Sequence, residues 1–141
     1  MKRTILLIFT LLCTLSWRAS AESVQYLTTA DFKQFIFDYT TQKTWKYQGT
    51  KPCIIDFYTT WCGPCKRLAP IMEELAESYC DQIVIYKVDT EKERELAAYF
   101  GIRSIPTLLF CPVDANPQVA QGALPKEVLE QAIKDVLLNK P

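Results

Sequence analysis

Two spacings of apolar side chains run through this 141-residue chain. One repeats near every 3.6 residues and marks helices; the other is a short, nearly unbroken apolar run and marks strands buried on both faces. After a short strand near Val24–Leu27, Phe32, Phe35, Ile36 and Tyr39 share one helical face, and Thr28 with Asp31 three residues on resembles a helix cap. Residues 40–52 are polar, contain Gly49 and Pro52, and read as a loop. "CIIDFYT" (53–59) is a buried strand. From Pro64, the stripe of Leu68, Met72, Leu75, Ala76 and Tyr79 predicts a helix, with Pro70 expected to kink it.

"IVIYKVD" (83–89) is a second buried strand. Thr90 and Glu93 predict a capping box for a helix that buries Leu96, Tyr99 and Phe100. "TLLFC" (107–111) and "PQVAQG" (117–122) read as two strands joined by a turn rich in Pro, Asp and Asn. The last helix opens near Pro125 and should bury Val128, Leu129, Ala132, Ile133, Val136 and Leu137. The order βαβαβαββα predicts an α/β fold: a mixed sheet, parallel in its first part and antiparallel at one edge, with helices on both faces.

The first 21 residues follow a different pattern. Lys2 and Arg3 precede the apolar run "ILLIFTLLCTL", and Ala19-Ser20-Ala21 supplies small residues at A-x-A spacing. This predicts a secretory signal peptide cut after Ala21, leaving one domain over residues 22–141. The run is shorter than the roughly 20 residues of a spanning helix, which disfavours a retained anchor. Leu12 before Cys13 disfavours lipidation. Lys2, Arg3 and Arg18 leave with this segment while all 16 acidic residues stay, so the mature charge is about −3. Such a surface makes no electrostatic case for nucleic acid or an anionic membrane.

With no histidine in the chain, imidazole general-base catalysis and imidazole metal sites are excluded. Cys53, Cys62, Cys65, Cys80 and Cys111 remain after cleavage. An odd count in an exported protein argues against a purely structural disulfide framework.

Cys62 and Cys65, in "WCGPCK", fall where a buried strand meets a helix N-terminus. Unpaired N–H groups and the helix dipole favour a thiolate there, and the thiolate is the attacking species. Cys62 is expected to be the exposed nucleophile and Cys65 the resolving thiol. Gly63 lets the backbone turn close to the sulfur, Pro64 suits the first helical turn, and Lys66 adds a nearby positive charge. A zinc half-site would need two more ligands, and no other cysteine stands at ligand spacing. A static disulfide closing so short a loop would constrain the unfolded chain little. Redox exchange is therefore favoured, with no metal and no cofactor beyond the Cys62–Cys65 disulfide. Asp56 interrupts an apolar strand, where a carboxylate must be paired or neutral; it could take the proton of Cys65. Lys87, in the neighbouring strand, could reach Asp56 or extend to solvent.

"DFYTTWCGPCKRLAPIMEELA" followed by "YFGIRSIPTLLF" closely resembles thioredoxin over about residues 50–138. The resemblance implies the thioredoxin fold and a protein-disulfide oxidoreductase in which Asp56 and Lys87 form a buried proton-handling pair. Pro106 matches the family's cis-proline facing the CxxC pair, and the backbone of Ile105 would bond a substrate strand. Trp61 and Gly122, with Gly63 and Pro64 of the motif, border the substrate groove. Tyr58 stands where most thioredoxins carry a second tryptophan, and "CPVDANPQ" is longer than the usual connection. Segment 22–49 matches only loosely.

In this fold Cys53 and Cys111 lie on antiparallel strands, so a second disulfide or thiol pair is one reading; two buried free thiols is the favoured one. Cys80, at a helix end, is expected to be the exposed thiol. The Gly-Pro dipeptide, and the lack of a motif histidine, point to a reductant. Thioredoxins as a family poise near about −270 mV, against about −120 mV for strongly oxidising relatives, values carried over with the resemblance. The expected partners are exported proteins with disulfides and a membrane thiol-disulfide electron donor. No nucleic acid is expected, and the chain is expected to be a monomer in the periplasm or secreted. An oxidant or isomerase, a cytochrome c maturation protein, and a non-catalytic binding module are the alternatives.

Overall fold

The computed structural model describes residues 23–139. The expected signal peptide lies outside them. Five strands form one sheet in the order β1-β3-β2-β4-β5. These are β1 (Gln25–Tyr26), β2 (Cys53–Tyr58), β3 (Val84–Asp89), β4 (Thr107–Cys111) and β5 (Gln118–Gln121). β1, β3 and β2 run parallel, while β4 and β5 are antiparallel, as the element order predicts. The helices are α1 (Thr29–Phe35), α2 (Gly63–Ser78), α3 (Arg94–Tyr99) and α4 (Lys126–Ala132), the last continuing as a π-helical stretch over Ile133–Leu138.

The apolar run of β2 divides between two cores because successive side chains point to opposite faces. Ile54 joins Leu68, Met72 and Leu75 of α2 and Leu129 and Ile133. Cys53, Ile55 and Phe57 join Phe32 of α1 and Leu96 of α3 on the other face. Loop 40–52 packs on this second core through Trp45 and Tyr47. The Tyr47 hydroxyl donates to the Lys51 carbonyl (2.6 Å). A side chain at Gly49 would run into that phenol, which accounts for the glycine.

Several local expectations are corrected. α1 carries the predicted capping box at Thr28 and Asp31 but ends at Phe35. The chain turns there, so Phe35 is 50% exposed and Phe37 is buried in its place. The box at Thr90 and Glu93 does not form. Glu93 instead accepts from the Thr29 backbone N–H (2.8 Å) and hydroxyl (2.6 Å), satisfying a free donor at the start of α1. Tyr99 is exposed and stacks on Tyr39 with centroids 4.0 Å apart. Val128 faces outward, although Leu129, Ile133 and Leu137 are buried as expected. Pro70 lies inside α2, as the sequence places it.

Candidate active site at the N-terminus of α2

β2, the central strand, delivers the chain to the C-terminal end of the parallel strands, and residues 59–62 lead it into α2. Cys62 is the N-cap residue of that helix. Its sulfur accepts the Cys65 backbone N–H at 3.2 Å, one of the donors left free at a helix start. Pro64 occupies the first turn. Cys62 and Cys65 form a disulfide, with Cα atoms 5.3 Å apart. In this oxidised state Cys62 is not the exposed sulfur expected: it is 4% exposed and Cys65 2%. The sulfur is turned into the disulfide and lies 3.9 Å from the Ile105 carbonyl oxygen. Access is provided by its neighbours, since Trp61 is 66% exposed and Gly63 and Pro64 are open to solvent.

The Ile105–Pro106 peptide bond is cis. Two hydrogen bonds fix this loop: the Thr107 hydroxyl donates to the Ser104 carbonyl (2.7 Å), and the Gly122 N–H donates to the Pro106 carbonyl (2.8 Å). Gly122 has φ +90°, a conformation that favours glycine. The structure therefore links four sequence-flagged positions: Cys62 to Ile105, and Pro106 to Gly122. Glu91 was missed from the sequence. Its carboxylate accepts the Trp61 indole N–H at 3.0 Å and so orients the ring. The available signal was the acidic run "DTEKE", which starts on the last residue of β3, at the same end of the sheet as the motif.

Asp56 is fully buried, and neither carboxylate oxygen has a hydrogen-bond partner. Burial pushes its pKa up from 3.8 to about 6, with Lys87 pulling the other way. Lys87 is directly opposite Asp56 in the β2–β3 register. The expected contact between them is nevertheless absent: the ammonium sits over the Tyr58 ring, 4.4 Å from its centroid. The two residues are thus neighbours in the sheet and coupled through charge, but they are not an ion pair.

A cysteine pair at a helix N-terminus, a cis-proline loop against it and a buried carboxylate on the preceding strand form one arrangement. The thioredoxin family model matches residues 23–135. This chain belongs to the thioredoxin family. It is 49% identical to thioredoxin of Borreliella burgdorferi over 109 residues, which is 77% of this chain and 93% of that one. Against thioredoxin of Alicyclobacillus acidocaldarius it is 39% identical over 111 residues, 79% of this chain and 95% of that one. The crystal structure of Malassezia sympodialis thioredoxin superimposes with a TM-score of 0.65 at 30% identity, covering 82% of this chain and 92% of that one. The protein is a thioredoxin-type thiol-disulfide oxidoreductase, and its redox group is the Cys62–Cys65 disulfide. Among the described residues no His, Cys, Asp or Glu cluster has the makings of a metal site.

Proposed function

We propose that the protein reduces disulfides of exported proteins, with Cys62 as nucleophile and Cys65 as resolving thiol. The observation that carries this reading is the Cys62–Cys65 pair at the start of α2, where the Cys65 N–H already meets the Cys62 sulfur. The Cys62 thiolate attacks one client sulfur and the other leaves as a thiolate. Asp56 takes the Cys65 proton, and the Cys65 thiolate attacks the Cys62 sulfur. The Cys62–Cys65 disulfide forms, the second client thiolate leaves, and the client has gained two electrons. A buried, unpartnered carboxylate with raised proton affinity suits the acceptor role. Trp61, Gly63, Pro64, Ile105, Pro106 and Gly122 border the client site, and Lys87 adjusts Asp56 by its charge.

Residues 1–21 direct export and are removed, so the protein works outside the cytoplasm; it acts as a monomer and draws electrons from a membrane thiol-disulfide donor. The Gly-Pro dipeptide supports the reducing direction. Titration of the 22–141 protein against a dithiol buffer should give a potential near the family's, about −270 mV. A value above about −180 mV, in the range of isomerases and oxidants, would overturn the reductant reading. Mass spectrometry of the protein recovered from a cell-envelope fraction should find Glu22 as the first residue; an intact Met1 terminus there would sink the cleavage reading, and recovery from the cytoplasm alone would sink export.

A further inference from the structure

One face of the sheet carries a single cross-strand row: Tyr26 on β1, Lys87 on β3, Asp56 on β2 and Leu108 on β4 are successive partners. Tyr58 follows Asp56 by two residues and therefore shares its face. A lysine on an inner strand opposite a buried carboxylate has two obvious destinations, the carboxylate and water. Lys87 takes neither fully. It is half-buried and its ammonium rests on the Tyr58 ring face, 4.4 Å from the centroid. A second ring, Tyr26, flanks the first at 6.5 Å. The negative face of an aromatic ring attracts an ammonium without accepting its proton, so the contact holds positive charge near Asp56 and leaves the carboxylate unpaired.

We propose that Tyr58 is a positioning residue for disulfide exchange: its ring detains the Lys87 ammonium beside Asp56 and so sets how readily that carboxylate takes a proton. The proposal rests on the reading of Asp56 as proton acceptor. The charged and titratable groups on this face are Lys87 and Asp89 from β3, Tyr58 from β2 and Tyr26 from β1; α2 adds Cys65 and, at the sheet edge, Glu73, whose carboxylate accepts the Val24 N–H (3.3 Å). β4 presents only Leu108 opposite Asp56. An ammonium is strongly hydrated, so weakening the ring's hold releases Lys87 toward water rather than into the protein. Asp56 then loses favourable charge and binds its proton more tightly.

The test is carbon-13 NMR titration of the Asp56 carboxyl in the oxidised protein, where neither Cys62 nor Cys65 titrates, with Asp56→Asn identifying the signal. Tyr58→Phe keeps the ring face and should leave the midpoint close to that of the unsubstituted protein. Adding one, two and three fluorines to that phenylalanine drains the ring face at nearly constant size. The Asp56 midpoint should then rise stepwise, by about two- to five-fold in proton affinity over the series, the weight of one partly exposed cation–π contact. In a Lys87→Met background the same series should leave the midpoint flat. A flat response with Lys87 present, a fall, or an equal rise with and without Lys87 would each overturn the proposal. The acceptor reading is tested separately, by the pH dependence of mixed-disulfide resolution. If Asp56→Asn leaves that profile unchanged, Asp56 is not the acceptor, while the carboxyl titration still decides what Tyr58 does to Lys87.

Discussion

β2 has a cysteine pair at each end, and the two pairs behave as different chemical groups. At its far end Cys62 and Cys65 close a disulfide at a helix start. At its near end Cys53 stands directly opposite Cys111 on β4, and both remain free thiols. Proximity is common to both pairs. The first pair has a backbone N–H on its sulfur and solvent-exposed neighbours. The second is sealed at 0% exposure between two layers. Burial pushes the Cys111 thiol well above its usual pKa, and Cys53 beside it adds to the shift. A thiol that stays protonated is a small hydrophobe rather than a nucleophile. What makes a cysteine pair redox-active is stabilisation of charge together with access.

The largest expected contrast lies in activity. Cys62→Ser should lower disulfide reduction in an insulin assay by about a thousand-fold or more, because Cys62 carries the attack on the client sulfur and Cys65 acts only on the mixed disulfide that Cys62 forms. Cys53→Ala and Cys111→Ala should stay within about two-fold. A comparable loss from either would break the distinction between the two ends. Cys65→Ser should instead accumulate mixed disulfides with clients, detected on non-reducing gels.

Alkylation sharpens the same contrast. In the reduced protein, peptide mapping after brief iodoacetamide treatment near pH 7 should find Cys62 labelled first, half-buried Cys80 next, and Cys53 and Cys111 only when the fold opens.

Asp56 yields the next largest effect, and on stability. Its pKa is raised from 3.8 to about 6 on folding, so the folded state holds its proton more tightly than the unfolded chain does. The associated stability is fully present below pH 3.8 and is lost as pH rises to about 6, by at most about 3 kcal/mol. Asp56→Asn, which cannot ionise, should therefore be more stable than the unsubstituted protein at pH 7 and equal to it below pH 4. Denaturant melts at both pH values check the sign. Smallest of all, Cys111→Ala should cost about 1–2 kcal/mol through the cavity it leaves, independent of pH between 5 and 8. A pH-dependent cost would mean that this thiol ionises in the folded protein after all.

The two ends also differ in how far the sequence revealed them. "WCGPCK" after an apolar strand identified Cys62, Cys65, Gly63 and Pro64 because the motif is local. Pro106 and Gly122 were flagged through resemblance, but their mutual hydrogen bond depends on β5 pairing with β4, and the approach of the Ile105 carbonyl to Cys62 depends on β4 pairing with β2. Asp56 was legible as an acid within an apolar run. The fate of Lys87 was not: strand register brings it opposite Asp56, yet an aromatic face two residues along captures the ammonium. Glu93 is a similar case. Its spacing from Thr90 suggested a cap within its own segment, but a free N–H on α1 competed for the carboxylate and won. Phe37 took the buried place expected of Phe35 because the end of α1 resets the period, and sequence spacing carries no mark of where that happens.

By itself, the sequence determined the order of elements, the central strand buried on both faces and the cysteine pair, since these follow from local periodicity and from residue chemistry at fixed spacing, whereas β3 keeps Val84, Tyr86 and Lys87 half-buried. Only the tertiary structure decided that the Cys62 sulfur turns inward onto the Ile105 carbonyl, where the Lys87 charge came to rest, and which donor Glu93 satisfied. Those outcomes are competitions between partners far apart in the chain, and they are settled by burial and distance, which exist only once the sheet has closed.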